Sequence, residues 1–194
     1  EFSWTFNGTP ASISSVALAS DNATIAVTMN KAVYSTGGGS GALETTDFSM
    51  AIAGGSASLS SATPSSISAS GNVYTLGIGV TGTPDGSEVI TVNPVSGSIY
   101  DAYGNISTNS QSNNTATLND QLAPTVTITA VSSGGDAVSS GSTTNDASII
   151  LTLTASESTT NLASADVTVS GGSLSSFSGS GASYNVTFTP SASG

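Results

Sequence analysis

The chain has 194 residues and a formal net charge of −11, with 12 acidic residues, a single Lys, and no Arg, His or Cys. One cation is too few to bind nucleic acid or to anchor the chain on anionic lipid, and no apolar run is long enough to insert into a membrane. The missing His and Cys remove the commonest zinc ligands, the imidazole base and the thiol nucleophile, so enzymatic activity is not expected.

The first residues alternate between aromatic and hydroxyl side chains. Phe2, Trp4 and Phe6 lie between Ser3 and Thr5, which predicts a strand with one fully aromatic face. Such a face exposes several hundred Å² of apolar surface, at about 150–250 Å² for each aromatic residue, and must be covered by another surface. Residues 1–9 are therefore expected to form an N-terminal donor strand and a linker.

Period-two alternation continues through residues 10–119 and predicts about seven strands. They are expected at 12–19, 23–30, 45–53, 56–62, 72–81, 87–94 and 114–119. Turns rich in Gly, Asn and Asp separate them. Short strands with frequent turns are typical of an antiparallel β-sandwich of about 100 residues, which is the predicted first domain.

A polar stretch that ends at Pro124 predicts a domain boundary between residues 119 and 120. Residues 120–194 contain only five expected strands, at 125–131, 147–154, 165–170, 172–178 and 183–189. A sandwich of about seven strands needs more. The predicted fold class is therefore all-β, with two tandem sandwiches, of which the second is open, lacks a closing strand and is completed by a donor strand.

Five segments resemble the bacterial Ig-like repeats of large surface adhesins: Ile13–Val27, Ile99–Asn105, Asp120–Pro124, Ala155–Glu157 and Ala165–Val169. The resemblance implies Ig-like domains in an extracellular or cell-surface protein. In the repeat type that the last two segments resemble, a closing strand of the Phe-x-Trp-Thr kind follows a turn of the Asp-Ala-x-Gly-Asn kind. Here Phe2-Ser3-Trp4-Thr5 stands at the opposite end of the sequence.

Two explanations fit this arrangement, and they differ in chain continuity. In the preferred one, the chain is a subunit of a homopolymer, a filament or pilus-like fibre with a role in adhesion or surface coating, that grows head to tail by donor-strand complementation. In the other, it is a stalk repeat within one long adhesin. A third interpretation is a carbohydrate-binding module in which Tyr100 and Tyr103 stack on a sugar.

The expected donor residues are Phe2, Trp4 and Phe6. The acceptor groove in the second domain is expected to be lined by the inward apolar side chains of its strands. These are Val126, Ile128, Ile149, Leu151, Leu153, Val167, Val169, Phe177, Tyr184, Val186 and Phe188.

Other candidate sites are weaker. No cofactor is expected except, as a candidate, calcium at Asp101, Asn105 and Asp120, because Ca²⁺ prefers carboxylate and carbonyl oxygens. Acceptor sequences for N-linked glycans occur at Asn7, Asn22, Asn105, Asn113 and Asn185. The one Lys, Lys31, is expected to be an exposed residue after a strand, with an isopeptide crosslink as the alternative.

Overall fold

The computed structural model describes residues 8–191. The chain divides into two compact units, Glu1–Leu122 and Ala123–Gly194. The predicted donor strand, with Phe2, Trp4, Phe6 and the sequon residue Asn7, lies outside the described residues. Strands form nearly all the regular structure of the described part, so the all-β fold class is confirmed.

The first unit contains eleven strands in its described part and one 3-10 turn, Thr45–Asp47. The strands are β1 (Ile13–Leu18), β2 (Thr24–Met29), β3 (Val33–Tyr34), β4 (Phe48–Ala53), β5 (Ser58–Leu59), β6 (Ile67–Ser70), β7 (Val73–Gly77), β8 (Val80–Thr81), β9 (Val89–Pro94), β10 (Tyr100–Asp101) and β11 (Thr115–Thr117).

Two main sheets form the sandwich of the first unit. One has the order β1-β2-β7-β6 and the other the order β11-β9-β4, and two short pairs, β10-β3 and β5-β8, complete the unit. The core between them is made by the alternating apolar residues that the sequence pattern singles out, such as Ile25, Leu76, Phe48 and Ile90. Residues opposite each other in the ladders, such as Ile25 and Leu76, point to the same side, so the register places both rows in one core.

The expected strand 72–81 is broken, although its alternation of apolar residues is continuous. Tyr74 and Leu76 belong to β7 of the four-stranded sheet, whereas Val80 belongs to β8, which pairs with β5 in another sheet. Side chains from Ser60, Ser65 and Ser66 approach Gly77 and Gly79 closely where the chain changes sheet, and a Cβ there would clash with them. The absence of side chains at both glycines makes this transition sterically accessible.

Hydrogen bonds between Asn119 and the buried Asn22 join the first turn to the end of the unit. Asn22 is 3% exposed and has a φ of 57°, a left-handed conformation that Asn tolerates better than most residues. Its Nδ2 donates to the carbonyl of Asn119 at 2.8 Å, and the backbone N–H of Asn119 donates to Asn22 Oδ1 at 2.9 Å. Residue 119 is therefore an integral part of the first unit.

The second unit contains three strands in its described part: β12 (Val126–Ser132), β13 (Ile149–Thr159) and β14 (Gly172–Pro190). They form one antiparallel sheet in the order β12-β13-β14. Within β14 the chain turns back around Gly179–Gly181. Two contacts between its halves show this: the N–H of Ser191 donates to the carbonyl of Gly171 at 2.8 Å, and the stacked rings of Phe177 and Tyr184 have centroids 5.6 Å apart.

The expected strand 165–170 is wrong. Ser164–Asp166 form a 3-10 turn, and residues 167–170 belong to no strand. The carboxylate of Asp166 accepts a hydrogen bond from the N–H of Ala163 at 2.9 Å, which closes the turn from within. Asp favours such local bonds to the backbone over a strand ladder.

Candidate strand-accepting face

The two faces of the second unit's sheet differ sharply in chemistry. Residues that stand opposite each other in an antiparallel ladder share a face, and the register places most apolar residues on one side, with Val131 and Ile150 as a pair on the other. This apolar face consists of Val126, Ile128 and Ala130 from β12, Ile149, Leu151, Leu153 and Ala155 from β13, and Tyr184, Val186 and Phe188 from β14. The opposite face is rich in Thr, Ser and Asn.

One half of the apolar face is covered by its own unit. Leu153, Tyr184 and Val186 are buried, with at most 5% of each exposed. Leu162, Val167, Leu174 and Phe177 pack against them. The hydroxyl group of Tyr184 donates to the carbonyl of Thr159 at 3.1 Å, so the polar end of this buried ring is also satisfied.

The other half of the apolar face, on β12, is open. Val126 is 43% exposed and Ile128 is 58% exposed, although both share a face with the buried Leu153 and Ala155. A groove of about 580 Å³ lies between residues 128–130 and residues 137–140. Val126 and Ile128 are thus two large apolar side chains exposed on one face of β12, and the groove lies beside Ile128.

The backbone of β12 adds a row of free hydrogen-bonding groups. β12 stands at the edge of its sheet. The carbonyl of Ala130 accepts from Val138 at 2.9 Å, and the N–H of Ser132 donates to Asp136 at 2.8 Å. Since backbone groups alternate in direction along a strand, those of Val126 and Ile128 also point to this outer edge, where no partner strand is present among residues 8–191. We call Val126–Thr129 the free edge.

The structure distributes the eleven predicted groove residues over three environments. Eight of them belong to the apolar face, here in chain order: Val126, Ile128, Ile149, Leu151, Leu153, Tyr184, Val186 and Phe188. Val167 and Phe177 pack against the buried cluster, and Val169 is half-buried in the segment without strand structure. The hairpin between residues 132 and 138, which closes the far end of the free edge, was missed, although Ser133-Gly134-Gly135-Asp136 is a turn signal.

Of the candidate calcium residues, Asp101 and Asn105 contact each other in one turn. Asp101 is fully buried, and its carboxylate accepts from the N–H of Tyr103 at 2.9 Å, the N–H of Asn105 at 3.0 Å and the Asn105 side chain at 3.0 Å. Asp120 is exposed and accepts from the N–H of Leu122 at 2.8 Å. The Asp-Ala-x-Gly-Asn segment is thus a turn stabilised by its own carboxylate.

Two buried carboxylates make the first unit sensitive to acid. Burial alone would raise the pKa of Asp101, but the hydrogen bonds from Asn105, Tyr103 and Lys31 outweigh it and hold that pKa below its usual range. The backbone hydrogen bond from Ala57 is the largest cause that lowers the pKa of Glu88, and burial opposes it.

A carboxyl whose pKa is lowered by folding stabilises the fold above its unfolded pKa, about 3.9 for Asp and 4.3 for Glu. That stability is lost as the pH falls through the lowered folded value. We expect the free energy of unfolding, measured with urea between pH 7 and pH 2, to fall below about pH 4. In Glu88→Gln the free energy of unfolding should fall less between pH 7 and pH 2. The same decrease in the wild type and in Glu88→Gln would contradict a lowered pKa of Glu88 as one of its causes.

The candidate glycan acceptors differ in access. Asn22 is buried with both amide atoms engaged, and Asn105 donates from Nδ2 to both carboxylate oxygens of Asp101. Asn113 and Asn185 are exposed. Of the candidate sugar-stacking residues, Tyr103 is 68% exposed, and the hydroxyl group of Tyr100 donates to the carbonyl of Gly97 at 2.8 Å.

Comparison with known proteins gives one family match. Residues 120–194 match the family described as bacterial Ig-like domain. The resemblance seen in the sequence is thereby confirmed for these residues, and a bacterial Ig-like domain is consistent with a structural protein of the cell surface. No helix in the described part of the chain is long and apolar enough to cross a membrane.

The whole chain is similar to the N-terminal part of the bacterial S-layer protein SbsC, with 20% sequence identity and a TM-score of 0.40, over 76% of this chain and 41% of that one. The chain thus spans about two fifths of that structure. No curated protein matches it. The family match is therefore confined to residues 120–194.

Proposed function

We propose that this chain is a structural subunit of a bacterial cell surface and that it assembles head to tail by strand addition. The N-terminal segment Phe2–Phe6 of one copy pairs with the free edge of β12 in the next copy and covers its apolar face. The observation that carries the proposal is the free edge itself, with Val126 and Ile128 exposed beside it.

The donor and the acceptor have matching patterns. In a strand added beside β12, alternate side chains fall on the apolar face and on the hydroxyl-bearing face. Phe2, Trp4 and Phe6 would lie beside Val126 and Ile128, while Ser3 and Thr5 would continue the polar face. The added strand would also satisfy the N–H and C=O groups of the free edge, which otherwise invite unspecific pairing.

The burial of three aromatic residues supports a long-lived contact. Each contributes about 1.5–3 kcal/mol when removed from water, and each ladder hydrogen bond adds about 0.5–1.5 kcal/mol net. The donor lies in one unit and the acceptor in the other, so the contact is heterologous. Repeated contacts of this kind build a filament unless the rotation between copies closes a ring.

The test is the size of the assembly as a function of concentration. We expect sedimentation and electron microscopy of the purified chain to show regular fibres whose length grows with concentration. Trp4 is the only Trp, so its emission should shift to the blue as fibres form. A monomer at every concentration would overturn the assembly and leave a stalk repeat, in which the covering strand comes from the same polypeptide.

A further inference from the structure

Residues 9–13, which follow the expected donor strand in the sequence, are held to the first unit by several contacts. The side chain of Ala11 is buried, and the N–H of Ile13 donates to the Gln111 side chain at 2.8 Å. The residue before Pro10 is restricted to extended backbone by the proline ring. This residue, Thr9, is held by one further contact, since Lys31 Nζ donates to its carbonyl at 2.7 Å.

The second contact of Lys31 connects this segment to the core. Its Nζ lies 3.5 Å from Asp101 Oδ2, and the two side chains are 28% and 1% exposed. The carboxylate of Asp101 is immobilised by Tyr103 and Asn105. Asp101 itself belongs to β10, which pairs with β3. The ammonium group is therefore positioned by a buried carboxylate rather than by solvent.

We infer that Lys31 is a positioning residue that fixes the direction in which the donor strand leaves its subunit. This inference rests on the proposed function. A donor held in one direction loses less conformational freedom when it enters the groove of the next copy, and such preorganisation raises affinity. The ion pair of Lys31 is buried on its Asp101 side, and removing one partner of a buried pair destabilises a fold, so the stability of each Lys31 variant is measured beside its elongation rate.

The test separates donor positioning from folding and from the acceptor groove. We expect Lys31→Met to slow fibre elongation by about tenfold under conditions where its urea transition shows it fully folded, and Lys31→Arg to restore most of the rate because it keeps a cationic donor. Elongation at the wild-type rate in folded Lys31→Met, or no recovery in Lys31→Arg, would overturn the inference.

A peptide experiment makes failure of this inference distinguishable from failure of the proposed function. A peptide of residues 1–7 is added to the full chain carrying Trp4→Ala, so that the peptide holds the only Trp. We expect a blue shift of the peptide emission that is the same with and without Lys31→Met. If the peptide binds but Lys31→Met with an intact Trp4 elongates at the wild-type rate, only the role of Lys31 is rejected. If the peptide does not bind, the proposed function and the inference are rejected together.

Discussion

Replacing Trp4 by Ala is expected to weaken the association between copies by about two to three orders of magnitude. Truncating a buried Trp costs about 3–5 kcal/mol, and each 1.4 kcal/mol is a factor of ten in affinity. Within the proposed contact, Trp4 is the central and largest of the three aromatic residues. The affinity is measured by sedimentation over a range of concentrations.

The matched control for this variant is Tyr103→Ala. Tyr103 is also a large aromatic residue, but it is 68% exposed and belongs to the Asp101 turn of the first unit. Its removal should leave the association nearly unchanged. Equal affinities for the wild type and Trp4→Ala would show that the aromatic strand does not hold the copies together.

The second large effect is expected on the acceptor side, from Ile128→Asp. Ile128 is 58% exposed, so a carboxylate there remains hydrated in the free subunit and should change the free energy of unfolding by less than about 0.5 kcal/mol. In the assembled state the same carboxylate would be buried among aromatic rings without a partner. A buried unpaired charge costs about 3–5 kcal/mol, which should abolish fibres at concentrations where the wild type forms them.

Thr129→Asp supplies the control for Ile128→Asp. Thr129 neighbours Ile128 in the chain but stands on the opposite face, across from Thr152. A carboxylate on that face stays in water in the proposed assembly. We expect Thr129→Asp to form fibres and Ile128→Asp to form none, as seen by electron microscopy. Fibres from both variants, or from neither, would contradict the assignment of the apolar face.

The alternation of apolar residues predicted those elements of the fold that have one buried face. β2, β9 and β12 lie where the pattern placed them, because a half-buried strand must alternate. β6 was missed, since Ile67–Ser70 contains one large apolar residue and its partner side chains come from β7. The break after Gly77 was also missed, because alternation does not record a change of sheet.

The candidate site was predictable in composition but not in exposure. The sequence places Val126, Ile128 and Leu153 in rows of the same kind, yet Leu153 is 2% exposed and Ile128 is 58% exposed. The difference depends on Leu162 and Val167, which pack over one half of the sheet from a segment without strand structure. Such packing is a tertiary effect that a local pattern does not contain.

The Asp101 turn illustrates a similar limit. Asp and Asn residues at close spacing fit a calcium site and a hydrogen-bonded turn equally well in sequence. In the structure, the N–H groups of Tyr103 and Asn105, the Asn105 amide and Lys31 converge on the carboxylate. The single Lys of the chain thus belongs to a connected cluster, whereas the sequence indicated an exposed residue, with a crosslink to an unnamed partner as the alternative.

The most direct test of strand addition is a disulfide between two copies. The chain has no Cys, so Phe2→Cys, Trp4→Cys or Phe6→Cys in one preparation can be mixed with Ile128→Cys in an isotope-labelled second preparation. We expect at least one of the three to form a reducible bond to the labelled chain, and Ser3→Cys and Thr5→Cys to form none, because in the proposed contact their side chains would lie on the opposite face. No bond from any aromatic position, or equal bonding from Ser3→Cys, would contradict the account.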